Sequence, residues 1–147
     1  MGQFRVLVVG ESAALRQHIK YVLSQQRFIM SEAAEVVTGI EKLREDFYSL
    51  ILVDDMFPPL PMVHFLQSIR KLHGYSAVPI LLLRDETQSL WNDNEFGLTG
   101  FPRGRFLDDD LDFYYLTKPI STLALNSMVN RILKENFSAE HRYLQPT

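Results

Sequence analysis

The chain has 147 residues, a net charge of −3 and no cysteine. That length suits one domain with its own core, and the missing cysteines exclude disulfides, thiol catalysis and cysteine-bound metal while fitting a reducing compartment such as the cytoplasm. The small, scattered charge excludes a nucleic-acid footprint; no apolar stretch is long enough for a membrane span, and no signal peptide is expected before the first strand.

Phe4-Arg5-Val6-Leu7-Val8-Val9 reads as a buried strand ended by Gly10-Glu11-Ser12. Ser12 is placed to cap a helix over Ala13 to about Gln25, where Leu15, Ile19, Val22 and Leu23 recur at helical spacing. Phe28-Ile29-Met30 is a short strand. Val37, Ile40 and Leu43 mark a second helix, with Gly39 as its weak point. Leu50-Ile51-Leu52-Val53 is a continuous aliphatic run, the pattern of a strand buried on both faces, and Asp54 stands at its end. Ligands of open α/β sheets gather outside the carboxyl ends of the strands, so Asp54 is either a functional carboxylate or an ordinary cap in the turn. Asp55, one residue on, should face the other way.

Pro58, Pro59 and Pro61 predict a rigid loop before a helix carrying Met62, Phe65, Leu66, Ile69 and Leu72, with Gly74 as its stop. Pro79 to Leu83 is another apolar run, closed by Arg84. From Glu86 to Asp112 the chain is rich in Gly, Asn and Asp. Gln88 to Trp91 suits the start of a short helix, and the remainder suits an extended loop of the kind that often carries function. In it, Asp108-Asp109-Asp110 reads as a solvated charge run that Arg103 and Arg105 can pair, and Trp91 and Phe96 read as anchors for the loop. Phe113 to Leu116 is a last strand, in which alternation puts one of Tyr114 and Tyr115 toward the core and the other toward solvent or a partner. Ser121 caps a final helix bearing Leu123, Leu125, Met128, Val129, Ile132 and Leu133; a polar tail begins at Phe137. His18, His64, His73 and His141 lack metal-ligand spacing, and His64 alone lies near the Asp54 loop. Strand and helix thus alternate about five times, which predicts a three-layer α/β sandwich with a parallel sheet between helices.

These landmarks resemble the receiver domain of two-component response regulators. The residues that carry the likeness are Gly10-Glu11 after the first strand, Asp54-Asp55-Met56-Phe57-Pro58, the strand opened by Pro79, and Lys118-Pro119 after the last strand. The likeness runs from about Phe4 to Asn136, which gives a receiver domain over 1–136 and a tail over 137–147. It implies a flavodoxin-like, CheY-like fold of five parallel strands in the order 2-1-3-4-5 with about five helices. It implies that Asp54 is the phosphoacceptor, that Lys118 pairs with the phosphoryl oxygens, that Lys118–Pro119 is a cis peptide and that Tyr115 takes the aromatic switch position. The implied partner is a histidine kinase or another signalling protein, with a second copy of the chain as a further candidate. No enzyme activity is implied beyond self-catalysed phosphoryl transfer to Asp54.

Two positions depart from the family pattern. The acidic pair that helps hold magnesium is here Gly10-Glu11, leaving Glu11 and Asp54 as the metal ligands, and the hydroxyl residue after the fourth strand is here Arg84. An insertion of roughly a dozen residues also falls between the fourth and fifth strands, where many receivers dimerise or meet an output partner. A pocket of three carboxylates and one lysine needs a divalent cation, whereas Glu11, Asp54, Lys118 and Arg84 are formally neutral together. No cofactor is then required, and magnesium binding is weakened. Arg84 is expected to form a bidentate pair with Asp54 or Glu11 and to act as a switch residue.

Two readings follow. One is an atypical but working magnesium-dependent phosphoacceptor, in which Glu11 and Asp54 hold magnesium and Lys118 and Arg84 bind the phosphate. The other is a pseudo-receiver in which Arg84 stands in for metal and phosphate and the domain signals through protein contacts. A small flavodoxin-like ligand-binding or enzymatic domain is the alternative from another class. It is opposed by the lack of a G-x-G-x-x-G or P-loop lysine after the first strand.

Overall fold

The aliphatic runs form the middle of the sheet in a computed structural model that describes residues 4–26, 28–54, 59–85, 91–92, 103–106 and 112–138. The strands are β1 (Phe4–Val9), β2 (Phe28–Ala33), β3 (Leu50–Asp54), β4 (Ile80–Arg84), β5 (Trp91–Asn92), β6 (Arg103–Phe106) and β7 (Asp112–Thr117). Their order across the sheet is β2-β1-β3-β4-β7-β6-β5. β2, β1, β3, β4 and β7 pair in parallel, which is the expected 2-1-3-4-5 arrangement. The sheet then continues past β7 with two antiparallel strands.

The helices are α1 (Ala13–Ser24), α2 (Val36–Glu45), α3 (Pro59–Lys71) and α4 (Thr122–Leu133), the last prolonged by a π-helical turn over Lys134–Ser138. α2 and α3 cover one face of the sheet, where Leu43, Met62, Phe65, Leu66 and Ile69 meet Leu7, Val9, Ile51, Val53 and Leu82. α1 and α4 cover the other, where Ile19, Val22, Leu125 and Val129 meet Val6, Val8, Leu50, Leu52 and Leu83. Covering both faces is why β3 and β4 show no polar alternation. It is also why neither tyrosine of β7 reaches solvent. Tyr114 and Tyr115 are both buried, on opposite faces, against the expectation that one would be exposed.

Both serine caps are in place. Ser12 Oγ accepts from Leu15 N at 3.1 Å, and Ser121 Oγ accepts from Ala124 N at 3.0 Å. Gly39 serves packing: a Cβ there would lie 3.3 Å from a Val9 methyl and 3.5 Å from the Phe65 ring, so glycine lets α2 settle close to β1. Gly74 adopts φ +89°, the left-handed turn that stops a helix and favours glycine.

Other expectations change as well, among them the loop expected up to Asp112, which holds β6 at Arg103–Phe106. α3 opens at Pro59, so Pro59 and Pro61 lie in its first turn, where a missing N–H costs no intrahelical bond. Trp91 is in a strand rather than a helix, because β6 offers it an antiparallel partner, Trp91 opposite Phe106. Phe137 belongs to the folded body, packing on Phe4 with ring centroids 5.5 Å apart. Asp55, Phe96, Asp108-Asp109-Asp110 and His141 lie outside the described residues, and Trp91, Arg103 and Arg105 are described only as strand backbone.

Candidate functional site

The carboxyl ends of β1, β3 and β7 bring Gly10, Asp54 and Lys118 together. Strand alternation puts all three on the α1/α4 side of the sheet, since Val8, Leu52 and Leu116, two residues earlier in each, belong to that core. Lys118 Nζ lies 2.5 Å from Asp54 Oδ1, with the aspartate side chain 17% exposed and the lysine 33%. Oδ1 itself is sealed from solvent, and the Lys118 ammonium beside it compensates its charge. The Lys118–Pro119 peptide bond is cis, and Lys118 N donates to Arg84 O at 2.8 Å, fixing the lysine at the mouth of the sheet.

Gly10 lies close against the Asp54 side chain. A Cβ built there would lie 2.8 Å from Asp54 Cβ, closer than real Cβ atoms approach, and 3.6 Å from Oδ2, an ordinary contact. Asp54 therefore occupies room that any side chain at position 10 would need.

Arg84 does not make the expected pair with Asp54 or Glu11. Asp54 is in register with Leu83, so Arg84 lies one step further and on the opposite face. Its guanidinium sits over the Tyr115 ring, 5.4 Å from the centroid, within cation–π range. The two residues assigned to switching thus contact each other, beneath the α2/α3 side. Among the described residues, the cation at Asp54 is Lys118.

With Gly10 in the acidic position, the described carboxylates around this loop are Asp54, paired with Lys118, the exposed Glu11, and Glu32, paired with Arg16 and Lys20. Among the described residues no three His, Asp or Glu side chains converge as a metal site.

The sequence reading missed a second charged cluster beside this loop. Arg16 Nε donates to Glu32 Oε1 at 2.8 Å, and its Nη1 donates to the carbonyls of Gly10 at 2.5 Å and Glu11 at 3.1 Å. Lys20 Nζ lies 3.1 Å from Glu32 Oε2. Hydrogen bonds from Arg16 and then Lys20 hold the Glu32 carboxyl below the usual carboxylate range, against a smaller opposing effect of burial. The available signal was an arginine on the helix following Gly10-Glu11; its acidic partner lies on another element. His64 and His73 are exposed, and His18 is half-buried.

No family model matches the chain. Its relatives include the phosphate regulon transcriptional regulatory protein PhoB of Escherichia coli, 26% identical over 130 residues that make up 88% of this chain and 52% of PhoB. Among solved structures, the chemotaxis response regulator CheY4 of Vibrio cholerae superposes with a TM-score of 0.65 at 21% identity, covering 89% of this chain and 99% of CheY4. The signal receiver domain of an HD domain-containing protein from Pseudomonas fluorescens gives a TM-score of 0.71 at 16% identity, covering 97% and 95%. The chain is a relative of response regulators and has the fold of their receiver domains. This receiver-type chain spans about half the length of the curated relatives it matches. No helix among its described residues is long and apolar enough to cross a membrane.

Proposed function

We propose that the chain is the receiver module of a cytoplasmic two-component phosphorelay, with Asp54 as phosphoacceptor, a histidine kinase as donor and a degenerate metal site. The observation that supports this most directly is the Lys118–Asp54 ion pair at 2.5 Å, with Gly10 close against the same side chain. With Oδ1 buried against Lys118, Oδ2 is the oxygen assigned to attack. An O–P bond forms to Oδ2 as the P–N bond of a phosphohistidine breaks, and the departing imidazole nitrogen takes a proton. Lys118 offsets the charge spread over the phosphoryl oxygens. Glu11, Asp54 and Lys118 leave one net negative charge at the site, fewer than three carboxylates and a lysine would, so magnesium binds weakly. The output is a contact with another protein, biased by the new charge on Asp54.

The test is incubation with acetyl phosphate at graded magnesium concentrations, read by intact mass, beside Asp54→Asn. Wild type should gain one phosphate and the variant none, with only a shallow dependence on magnesium. If wild type stays unmodified at every magnesium concentration, the ion pair is permanent and signalling is by contact alone.

A further inference from the structure

We propose that Arg16 is a positioning residue for Asp54: anchored by Glu32, it holds the Gly10–Glu11 backbone where the Asp54 side chain is confined between Gly10 and Lys118. Three elements meet in this latch. α1 supplies Arg16, β2 supplies Glu32 and the Ala33 carbonyl, and the loop between β1 and α1 supplies the two backbone oxygens. Gly10 is held through both its backbone N–H and its carbonyl. Its N–H donates to Ala33 O at 2.9 Å, and its carbonyl accepts from Arg16.

The Arg16 side chain is only 15% exposed, so its charge is paired rather than solvated. One planar guanidinium serves a carboxylate and two carbonyls at once, a pattern an ammonium group cannot copy. Lys20 also reaches Glu32, but its side chain is 50% exposed and touches neither carbonyl of the loop. It is an accessory to the latch.

The latch matters to Asp54 because the loop it fixes is already in contact. The missing Cβ at Gly10 would lie 2.8 Å from Asp54 Cβ, so the loop and the carboxylate share one space. A loop free to swing outward would leave Asp54 unconfined on that side. A loop held by Arg16 sets how the carboxylate is turned toward Lys118, and so which oxygen is left for attack. The last step rests on the proposed phosphoacceptor role; the positioning itself does not.

The experiment compares Arg16→Ala, Arg16→Lys and Glu32→Gln with wild type and with Tyr75→Phe, a control that weakens the opposite end of the sheet. Two readouts are taken below the unfolding transition: the Asp54 carboxyl and Lys118 ammonium resonances by NMR, and the rate of Asp54 phosphorylation by acetyl phosphate. The expected result is a shift of both resonances in the latch variants but not in Tyr75→Phe. The expected rate loss in Arg16→Ala is about tenfold, the order of one charge-assisted hydrogen bond, with partial retention in Arg16→Lys. Equal behaviour of the latch variants and Tyr75→Phe overturns the proposal. If Arg16→Ala does not fold, unshifted resonances in Arg16→Lys and Glu32→Gln overturn it equally. Shifted resonances in a protein that never takes phosphate uphold the latch and refute the phosphoacceptor reading. A further check adds Gly10→Ala. Its disturbance of the Lys118 resonance should shrink when combined with Arg16→Lys, because a loosened loop can retreat from Asp54; simple additivity counts against the latch.

Discussion

The two ends of the parallel sheet satisfy their polar groups in different ways. At the amino end, Tyr75 OH accepts from Tyr48 N at 3.0 Å and donates to Asp46 O at 2.8 Å, while Arg70 Nη1 donates to Tyr75 O and Val78 O at 3.0 and 2.7 Å. Side chains there staple one loop to the next through backbone atoms, and Phe47 stacks on Tyr75 above them. At the carboxyl end, the buried Asp54 Oδ1 is held by the Lys118 ammonium. The first end resists rearrangement because its bonds run to fixed backbone atoms. The second is held by an ion pair between two side chains, whose attraction depends on distance more than on direction.

The contrast breaks most visibly at Lys118. Lys118→Ala should lower the phosphorylation rate by about 100-fold or more, since preorganised charge at the phosphoryl group is lost. It should also destabilise the fold by about 1–3 kcal/mol, because Oδ1 stays buried with its cation gone; urea unfolding measures the second effect. Tyr75→Phe should do the reverse. Losing the hydroxyl leaves a buried amide and a carbonyl without their partner, for a stability loss of about 1–3 kcal/mol, while the phosphorylation rate stays within about twofold.

A magnesium titration sharpens the carboxyl end. One missing unit charge near 4 Å from a divalent ion is worth about 2 kcal/mol in water, so affinity should fall at least about tenfold below that of a receiver with three carboxylates. A midpoint equal to such a receiver's contradicts the charge count. The smallest effect is a pH dependence at Glu32. Its carboxyl is held below the ordinary 4.5 by Arg16 and Lys20, so its contribution to stability is complete above that pH and disappears as pH falls through the lower folded-state value. Wild type should therefore lose its advantage over Glu32→Gln on acidification, in thermal melts across that window.

Much of this arrangement was legible in the residues. The unbroken aliphatic runs fixed the strands, Ser12 and Ser121 marked helix starts, and Asp54 and Lys118 stood at strand ends. What could not be read was inter-strand register. Arg84, matched by resemblance to the hydroxyl position after the fourth strand, is expected from its charge to pair with Asp54 or Glu11, yet pairing Asp54 with Leu83 places the arginine one residue past it and on the other face. Local composition hid β5 and β6 for a different reason. Strands of two and four residues within a Gly-, Asn- and Asp-rich stretch carry no period to detect, and they exist through the partner strand they join. The Arg16–Glu32 contact joins a helix to a strand, a distance that sequence patterning does not span.

β6 lies along β7 and takes up the row of amide and carbonyl groups that would otherwise form that margin. Among the described residues, the outermost backbone on this flank is that of Trp91–Asn92, not a strand of the five-strand parallel frame. On the proposed reading as a contact-signalling module, selectivity on that side is free to drift with the segment between β4 and β7, while the aspartate and its lysine stay under the constraint of their chemistry.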